Sequence, residues 1–158
     1  MTRSGIGYDA HRLAPGRKLI LGGIEIPHDR GLDGHSDADV LCHAIADALL
    51  GAVGESDIGH HFPNTDESIR GISSLEILQR TNELLGQMRA RAVNVDATLI
   101  AEAPKIAPHI PAMREKIATA LGLERSRVSI KATTNEGLGA IGRGEGMAAM
   151  AVATVEME

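Results

Sequence analysis

The chain has 158 residues, enough for one domain (residues 1–158) that buries about two-thirds of its unfolded surface. Its net charge of −5, without any basic run, argues against nucleic acid as a partner, and with Tyr8 and Phe62 as the only aromatic residues base stacking is not expected. The single cysteine excludes an internal disulfide and favours a cytoplasmic location, and no segment approaches the ~20 apolar residues that span a membrane.

The first predicted element is a strand in SGIGYDAHRL, residues 4–13, where polar and apolar residues alternate. Asp9 and His11 are two positions apart, so on a strand their side chains project from the same face. A carboxylate oxygen beside an imidazole nitrogen provides two of the donors that zinc accepts in proteins. The spacing makes this pair a candidate half of a metal site.

LILGGIEIP, from Leu19 to Pro27, predicts two short strands that turn at Gly22 and Gly23. A glycine-containing loop follows and leads towards a helix. His35 and Ser36 lie on this approach, where two interpretations stand side by side. The segment is either a mobile lid over a reacting group or a turn that only caps the helix.

A helix is predicted from Asp37 to Gly51, with Ser36 as its N-cap. Its apolar face has residues at three- and four-residue intervals: Leu41, Ile45, Ala48, Leu49 and Ala52. Asp39, His43 and Asp47 are four residues apart, which places them on a second, polar stripe. We therefore expect a carboxylate one turn away on either side of His43, so that one ring nitrogen binds a metal while an acceptor orients the other.

Together, Asp9, His11 and His43 would supply one oxygen and two nitrogens, a set that suits zinc and leaves a fourth position open. Cys42 is expected to point away from the polar stripe, so the chain lacks the cysteine ligands of most closed structural sites. A metal bound here would accordingly be catalytic. The competing interpretation is that His43 is a surface histidine that pairs with its neighbours.

The stretch ESDIGHHFPNTDESIRG, residues 55–71, contains proline and glycine and shows little periodicity. It predicts a long loop, and such loops in compact domains are usually functional or disordered. Its polar candidates are Asp57, His60, His61, Asn64 and Asp66. The adjacent histidines His60 and His61 diverge in direction, so we expect them to face solvent rather than to share a metal.

The remaining predicted elements are a helix from Ser74 to Ala92, a strand from Asn94 to Ala103, a helix from about Pro111 to Leu121 and a strand from Val128 to Thr134. Ser73 or Ser74 can cap the first helix, and Gly122 the second. The segment PKIAPHIPA, residues 104–112, follows the strand that ends at Ala103 and carries three prolines. Its stiff backbone leaves amides and carbonyls free to bind a flat ring by main-chain hydrogen bonds.

Three glycines of NEGLGAIGRGEG, residues 135–146, satisfy the dinucleotide-binding pattern G-x-G-x-x-G. That pattern must open a helix in a β-α-β unit, whereas MAAMAVATVEM after Gly146 alternates like a last strand. We therefore predict tight turns or a close backbone approach here, and no dinucleotide site. Arg143 and Glu145 could pair with each other or bind an anion.

The predicted order is strand, hairpin, helix, loop, helix, strand, helix, strand, strand. It indicates an α+β fold: a single-domain two-layer sandwich with helices on one face of a mixed sheet. The other face then needs a cover, and the last strand offers apolar residues for it: Met147, Ala149, Met150, Val152 and Val155. Because no helix is left over, a homo-oligomer is the expected cover.

Several short motifs follow one another along the chain: Asp9-Ala-His11, His35-Ser-Asp37-Ala-Asp39, His43, Asp57-Ile-Gly59, Phe62-Pro-Asn-Thr-Asp66, Ala103-Pro-Lys105, Lys131-Ala-Thr-Thr134, Glu136 and Gly142-Arg-Gly-Glu-Gly146. In number, order and spacing they resemble the 2-C-methyl-D-erythritol 2,4-cyclodiphosphate synthase family of the non-mevalonate isoprenoid pathway. The resemblance covers essentially the whole chain. Two positions depart from it: Asn64 stands where the family often has aspartate, and Ala140 where it often has phenylalanine.

The resemblance implies a homotrimer with active sites between neighbouring subunits, one catalytic zinc per subunit and a second divalent ion, magnesium or manganese. Asp9, His11 and His43 would bind the zinc and Glu136 the second ion, while His35 and Thr134 would aid the transition state. The implied substrate contacts in the first half of the chain are Asp9, His11, His35 and Ser36, then Asp57, Ile58 and Gly59 at the ribose, and Phe62, Pro63, Asn64, Thr65 and Asp66 at the methylerythritol. Those in the second half are Ala101, Glu102, Ala103, Pro104, Lys105, Ile106 and Ala107 at the cytosine, and Thr133, Thr134, Asn135 and Glu136 at the diphosphate. Ala140 and Arg143 would lie near the trimer axis.

The implied activity is that of a phosphorus–oxygen lyase acting on a cytidine diphosphate-linked substrate. The 2-phosphate of 4-diphosphocytidyl-2-C-methyl-D-erythritol 2-phosphate attacks the β-phosphorus, CMP leaves, and the cyclic diphosphate forms without a protein nucleophile. Lys131 would add positive charge or form a structural ion pair. Two other functions stand beside this one: a zinc phosphohydrolase that activates water, and a non-catalytic trimeric protein that binds a ligand near Arg143.

Overall fold

The computed structural model describes residues 1–158, which form seven strands, five α-helices and three short 3-10 helices. The strands are β1 (Thr2–Pro15), β2 (Leu19–Leu21), β3 (Ile24–Ile26), β4 (Arg30–Leu32), β5 (Ala90–Ile100), β6 (Val128–Thr133) and β7 (Gly146–Met157). The helices are α1 (Val40–Val53), α2 (Ile58–His61), α3 (Ser74–Gln87), α4 (Ile110–Leu121) and α5 (Gly139–Gly142). No helix is long and apolar enough to cross a membrane.

Five strands form one mixed sheet in the order β4-β1-β7-β5-β6, and β2 pairs with β3 as a separate hairpin. Only β5 and β6 are parallel; β7 lies between β1 and β5 and is antiparallel to both. The predicted mixed sheet and the hairpin at Gly22 and Gly23 are confirmed. The strand β4, which pairs with the end of β1, lies in a stretch predicted to be a loop.

Helix α1 packs against the sheet at unusually short range because β1 carries glycines beneath it. A Cβ atom on Gly7 would lie 1.8 Å from the carbonyl oxygen of Ala44, and one on Gly5 would lie 2.0 Å from that of Ala48. Any side chain at these positions would push the helix away. The absence of side chains therefore brings α1 within reach of β1 and sets the distance between their polar residues.

The helices lie on one face of the sheet, as predicted, and the other face is uncovered. Its apolar side chains are exposed: Ile6 (66%), Tyr8 (60%), Met150 (45%) and Val152 (47%). Met147, Ala149 and Val155, which were expected to need a cover, are buried in the core instead. The prediction was wrong for these three because alternate residues of β7 point to opposite faces, and theirs is the face that the helices cover.

The boundaries of two predicted helices differ from the structure. Helix α1 begins at Val40, not at Asp37, and its N-cap is Asp39, whose carboxylate accepts from Cys42 N at 3.1 Å; the predicted N-cap Ser36 lies outside the helix. Helix α3 is capped by Ser73 and ends at Gln87, so residues 90–92 belong to β5. Pairing of these residues with β7 outweighs their helical spacing, since the ladder satisfies their backbone groups and buries Ala90 and Ala92.

The glycine-rich segment before β7 contains only the four-residue helix α5. It connects β6, at the edge of the sheet, to β7, which is not adjacent to β6. This segment is therefore no β-α-β unit, which confirms the structural expectation on which the dinucleotide pattern was set aside. The predicted loop of residues 55–71 is more ordered than expected, because it contains α2 and a 3-10 turn at Glu67–Ile69.

Candidate metal centre

Asp9 and His11 on β1 face His43 on α1. The Oδ2 atom of Asp9 lies 2.8 Å from Nε2 of His11 and 3.0 Å from Nδ1 of His43, and the two ring nitrogens are 3.2 Å apart. This metal triad, as we call Asp9, His11 and His43, is the one group of three His, Cys, Asp or Glu side chains gathered closely enough to hold an ion. The juxtaposition predicted from the sequence is confirmed.

The distances in the metal triad fit a tetrahedral ion. Ligands about 2.1 Å from zinc at tetrahedral angles are roughly 3.4 Å apart. The three observed separations are a few tenths of an ångström shorter, so a small outward shift of the side chains would accommodate the ion. One oxygen and two nitrogens would hold the ion at three positions and leave a fourth for another ligand, which is the donor set of catalytic zinc sites.

A backbone carbonyl orients the ring of His11. Its Nδ1 lies 2.9 Å from the carbonyl oxygen of Asp33. A carbonyl only accepts, so Nδ1 donates a proton to it, and Nε2 is the nitrogen that faces the metal triad and can bind a metal when it carries no proton. Gly34, next along the chain, leaves room for the ring, since a Cβ there would be 3.2 Å from Cε1 of His11.

The predicted carboxylate partners of His43 serve other groups. Asp39 is fully buried and accepts from the backbone N–H groups of Gly22 and Gly23 at 3.0 and 2.7 Å. Asp47 accepts from Ile58 N at 2.8 Å and so holds the start of α2. The prediction that these two acids orient His43 was wrong, because each carboxylate satisfies a backbone donor that helical spacing does not reveal.

Two serine hydroxyls contact Nε2 of His43 instead. Its Nε2 lies 2.9 Å from Oγ of Ser74 and 3.1 Å from Oγ of Ser36. Sequence reasoning missed Ser74, which it treated as a helix cap. No local spacing links position 74 to position 43, because the contact depends on how α3 packs on α1.

The charges of the metal triad favour the binding of a cation. Burial alone would raise the pKa of Asp9, but hydrogen bonds and charge from His11 and His43 outweigh it and lower that pKa to about 2. Burial opposes the charged form of His11, yet Asp9 raises its pKa on balance. The carboxylate is therefore ionised and attracts a cation. Burial raises the pKa of the Cys42 thiol far above its ordinary value, which keeps this neighbour neutral and unsuited to a metal.

A cavity of about 610 Å³ opens in front of the metal triad. Most of the predicted residues from the first half of the chain line it: Asp9, His11, His35, Ser36, His43, Ile58, Gly59, Phe62, Pro63, Asn64 and Thr65. Asp57 and Asp66 do not line the cavity. Asp57 caps α2 through His60 N at 3.0 Å, and Asp66 accepts from Ser68.

The segment that carries His35 and Ser36 is held on both sides. Nε2 of His35 lies 3.0 Å from the carbonyl oxygen of Asp66, and the His35 carbonyl accepts from Gly71 N at 2.8 Å. The Ser36 carbonyl accepts from Arg17 at 3.0 Å. These contacts fix His35 over the cavity and join its segment to the 66–71 turn.

The predicted residues from the second half of the chain form a separate group. Ala101 N donates to the Thr133 carbonyl at 2.9 Å, and Oε1 of Glu102 accepts from Asn135 N at 2.8 Å, which ties the ends of β5 and β6 together. None of residues 101–107, 133–136, 140 or 143 lines the cavity at the metal triad. Within one chain the two groups are therefore not brought together.

Other charged candidates have close partners. Arg143 pairs with Glu145 at 3.1 Å, and Lys131 pairs with Asp96. His60 is exposed as predicted, whereas His61 is half-buried, 3.5 Å from Glu55. The ion pairs are one of the alternatives that the sequence left open for Arg143 and Lys131.

The sequence is similar along almost its whole length to a known protein family. The YgbB family model matches residues 2–156. The 2-C-methyl-D-erythritol 2,4-cyclodiphosphate synthase of Alkaliphilus metalliredigens is 60% identical over 153 residues, which cover 97% of this chain and 96% of that protein.

Two solved structures share the fold. The bifunctional IspDF of Campylobacter jejuni superposes with a TM-score of 0.95 at 37% identity, over 100% of this chain but only 43% of that longer one. A CDP complex of IspF from Plasmodium falciparum gives a TM-score of 0.87 at 32% identity, over 99% and 97% of the two chains. This chain, with its Asp-His-His triad and its α+β fold, belongs to the YgbB family.

Proposed function

We propose that this protein converts 4-diphosphocytidyl-2-C-methyl-D-erythritol 2-phosphate to 2-C-methyl-D-erythritol 2,4-cyclodiphosphate and CMP, as a phosphorus–oxygen lyase of the non-mevalonate isoprenoid pathway. The observation that carries the proposal is the metal triad in a cavity of about 610 Å³, which most of the residues that the family resemblance assigns to substrate in the first half of the chain also line. The name of the Alkaliphilus relative and the CDP bound to the Plasmodium protein support it.

The reaction exchanges one phosphorus–oxygen bond for another. An oxygen of the 2-phosphate bonds to the β-phosphorus while the bridging bond to the α-phosphate breaks, and CMP leaves with the electron pair. The barrier is chiefly that of bringing two anions together in line. Zinc at the metal triad, and magnesium or manganese at Glu136, would supply Lewis acidity and charge neutralisation.

The side chains assigned to substrate would perform the positioning. His35, which the 66–71 turn holds at the cavity, and Thr134 would donate to phosphate oxygens in the transition state. Phe62 to Asp66 would surround the methylerythritol, and Asp57 to Gly59 the ribose. Residues 101–107 would bind the cytosine, while Thr133 to Glu136 would bind the diphosphate.

A homotrimer would complete this site. The residues assigned to cytosine and diphosphate lie outside the cavity, and the uncovered face of the sheet exposes large apolar side chains. Thr133 lies on that face beside Ile6, Ile100 and Met150. Packing three copies around this face would bury the apolar surface and bring the second group of one subunit to the metal triad of the next. Ala140 and Arg143 would then lie near the axis.

One assay separates this activity from its competitors. Incubation with the cytidine substrate, zinc and magnesium, followed by mass analysis, should yield CMP and a cyclic diphosphate. Linear phosphates would indicate a zinc phosphohydrolase, and unchanged substrate would indicate a binding protein. The exposed His60 provides a matched control, since His60→Ala should behave as the parent. The cytoplasmic location stays a prediction from the single cysteine.

A further inference from the structure

The hydroxyl of Ser74 lies between His43 and the carboxylate of Asp37. Ser74 is fully buried, its Oγ is 2.9 Å from Nε2 of His43, and it also contacts Oδ1 of Asp37. The same carboxylate accepts from Ser74 N at 2.9 Å and from Asp39 N at 3.1 Å. We call the series Asp37, Ser74 and His43 the serine relay.

Proton counting gives the direction of each hydrogen bond in the serine relay. An ionised carboxylate only accepts, so the hydroxyl of Ser74 donates its single proton to Asp37. The Ser74 oxygen then accepts from His43, which requires the proton of the neutral ring to be on Nε2. Nδ1 is left with a lone pair, and Nδ1 is the nitrogen that faces Asp9 at 3.0 Å.

Two acceptors compete for the proton of the neutral His43 ring. The serine relay accepts at Nε2, whereas the carboxylate of Asp9 lies 3.0 Å from Nδ1 and accepts there as long as no cation is bound. A cation at the metal triad would take the lone pair of Nδ1 and leave the proton on Nε2, where Ser74 accepts it. The hydrogen bond to Ser74 thus favours the form of His43 that binds a metal.

We propose that Ser74 and Asp37 are positioning residues, which orient the ring of His43 and favour the tautomer that presents the Nδ1 lone pair to the metal. The inference rests on the proposed zinc site, but it gives Ser74 and Asp37 a role there that neither the motifs nor the comparisons assign. It also explains why a polar side chain is buried at the first turn of α3. Asp37 N also donates to the Ile72 carbonyl at 3.1 Å, so the segment before α1 is joined to the segment before α3 by a second hydrogen bond.

Ser36 is the competing acceptor for the same nitrogen. Its Oγ is 3.1 Å from Nε2 of His43 and already accepts from Ala38 N at 3.0 Å. Ser36 is only half-buried and no carboxylate contacts its hydroxyl, so its proton is free to rotate. The fully buried, carboxylate-linked Ser74 defines the tautomer more strongly, which makes Ser36→Ala an informative comparison.

The experiment measures the tautomer directly in zinc-free protein. Nitrogen-15 NMR of the histidine rings, at a pH where they are neutral, should show a larger share of the Nε2–H tautomer of His43 in the parent and in Ser74→Thr, which keeps the hydroxyl. In Ser74→Ala and Asp37→Asn we expect that share to fall, because Asp9 then draws the proton to Nδ1. The control Ser126→Ala changes an exposed serine outside the metal site and should leave His43 unchanged.

Zinc affinity is the second measurement. Competition with a chelator should show binding weakened about 10- to 100-fold in Ser74→Ala, the usual effect of removing a partner behind a metal ligand. A share of the Nε2–H tautomer in Ser74→Ala equal to that of the parent would overturn the proposal even with weaker zinc binding, because the loss would then reflect packing. If Ser74→Ala does not fold, Asp37→Asn decides in the same way. A parent that binds no zinc would contradict the proposed metal site and leave the tautomer result intact.

Discussion

The metal triad and residues 133–136 lie at the same end of the sheet, yet they differ in how the chain supports them. His43 is 5% exposed, and each ring nitrogen in the metal triad has a defined partner. Every residue from Lys131 to Ala140, in contrast, is exposed in the single chain. A metal site needs distances fixed to tenths of an ångström, which burial provides. The exposed group has the character of a surface that another subunit would cover.

The largest expected effect comes from removing a metal ligand. His11→Ala or His43→Ala should abolish both zinc binding and turnover, since two remaining ligands from the metal triad hold the ion too weakly. The fold should persist, because the strands and helices around the site are held by an aliphatic core. Metal analysis and circular dichroism measure the two properties separately. Full zinc content in both variants would show that the metal lies elsewhere.

The second prediction tests whether the two regions act across a subunit boundary. His11→Ala and Glu136→Ala should each be inactive alone, but co-refolding them in equal amounts should restore roughly a quarter of parental activity. That fraction follows from random mixing on a three-fold ring, in which a junction works when an intact metal triad faces an intact Glu136. Native mass measurement verifies the mixed trimers. If verified mixed trimers are as inactive as the separate variants, both groups act within one subunit.

Glu136→Gln should have a smaller effect, because it keeps the side chain's shape and removes only the charge that would bind the second cation. We expect parental zinc content and a fall in kcat of roughly 100-fold, equivalent to about 2.7 kcal/mol. A magnesium titration of parent and variant measures it. Equal activity at every magnesium concentration would exclude Glu136 as a ligand.

The smallest effect is expected at Lys131, whose ammonium pairs with Asp96 on the uncovered face. Both side chains are about half exposed in the single chain, so Lys131→Met should change the free energy of unfolding of the dissociated subunit by about 1 kcal/mol or less. Its kcat should equal that of the parent. Urea denaturation and steady-state kinetics measure the two quantities, and a large loss of kcat would place Lys131 among the groups that act on substrate.

The sequence predicts what depends on local periodicity. Strand alternation places Asp9 and His11 on one face, and helical spacing predicts α1, so the metal triad could be anticipated before its geometry was known. The β2–β3 hairpin and the Gly122 C-cap follow from local turn chemistry for the same reason.

What the sequence could not reveal depends on contacts between distant segments. Asp39 was expected to orient His43, but its carboxylate accepts from the hairpin at Gly22 and Gly23, some 17 residues earlier in the chain. Ser74 lies 31 residues from His43, and only the packing of α3 against α1 brings them together. Spacing within one helix contains no information about either contact.

The close approach of α1 to Gly5 and Gly7 has a consequence for how the site withstands change in the core. The gap between the elements that carry Asp9 and His43 is set by one backbone resting on another, and no rotamer can widen or narrow it. Aliphatic side chains elsewhere can exchange volume by repacking without altering this distance. The precision of the metal triad therefore depends on positions that have no side chain at all.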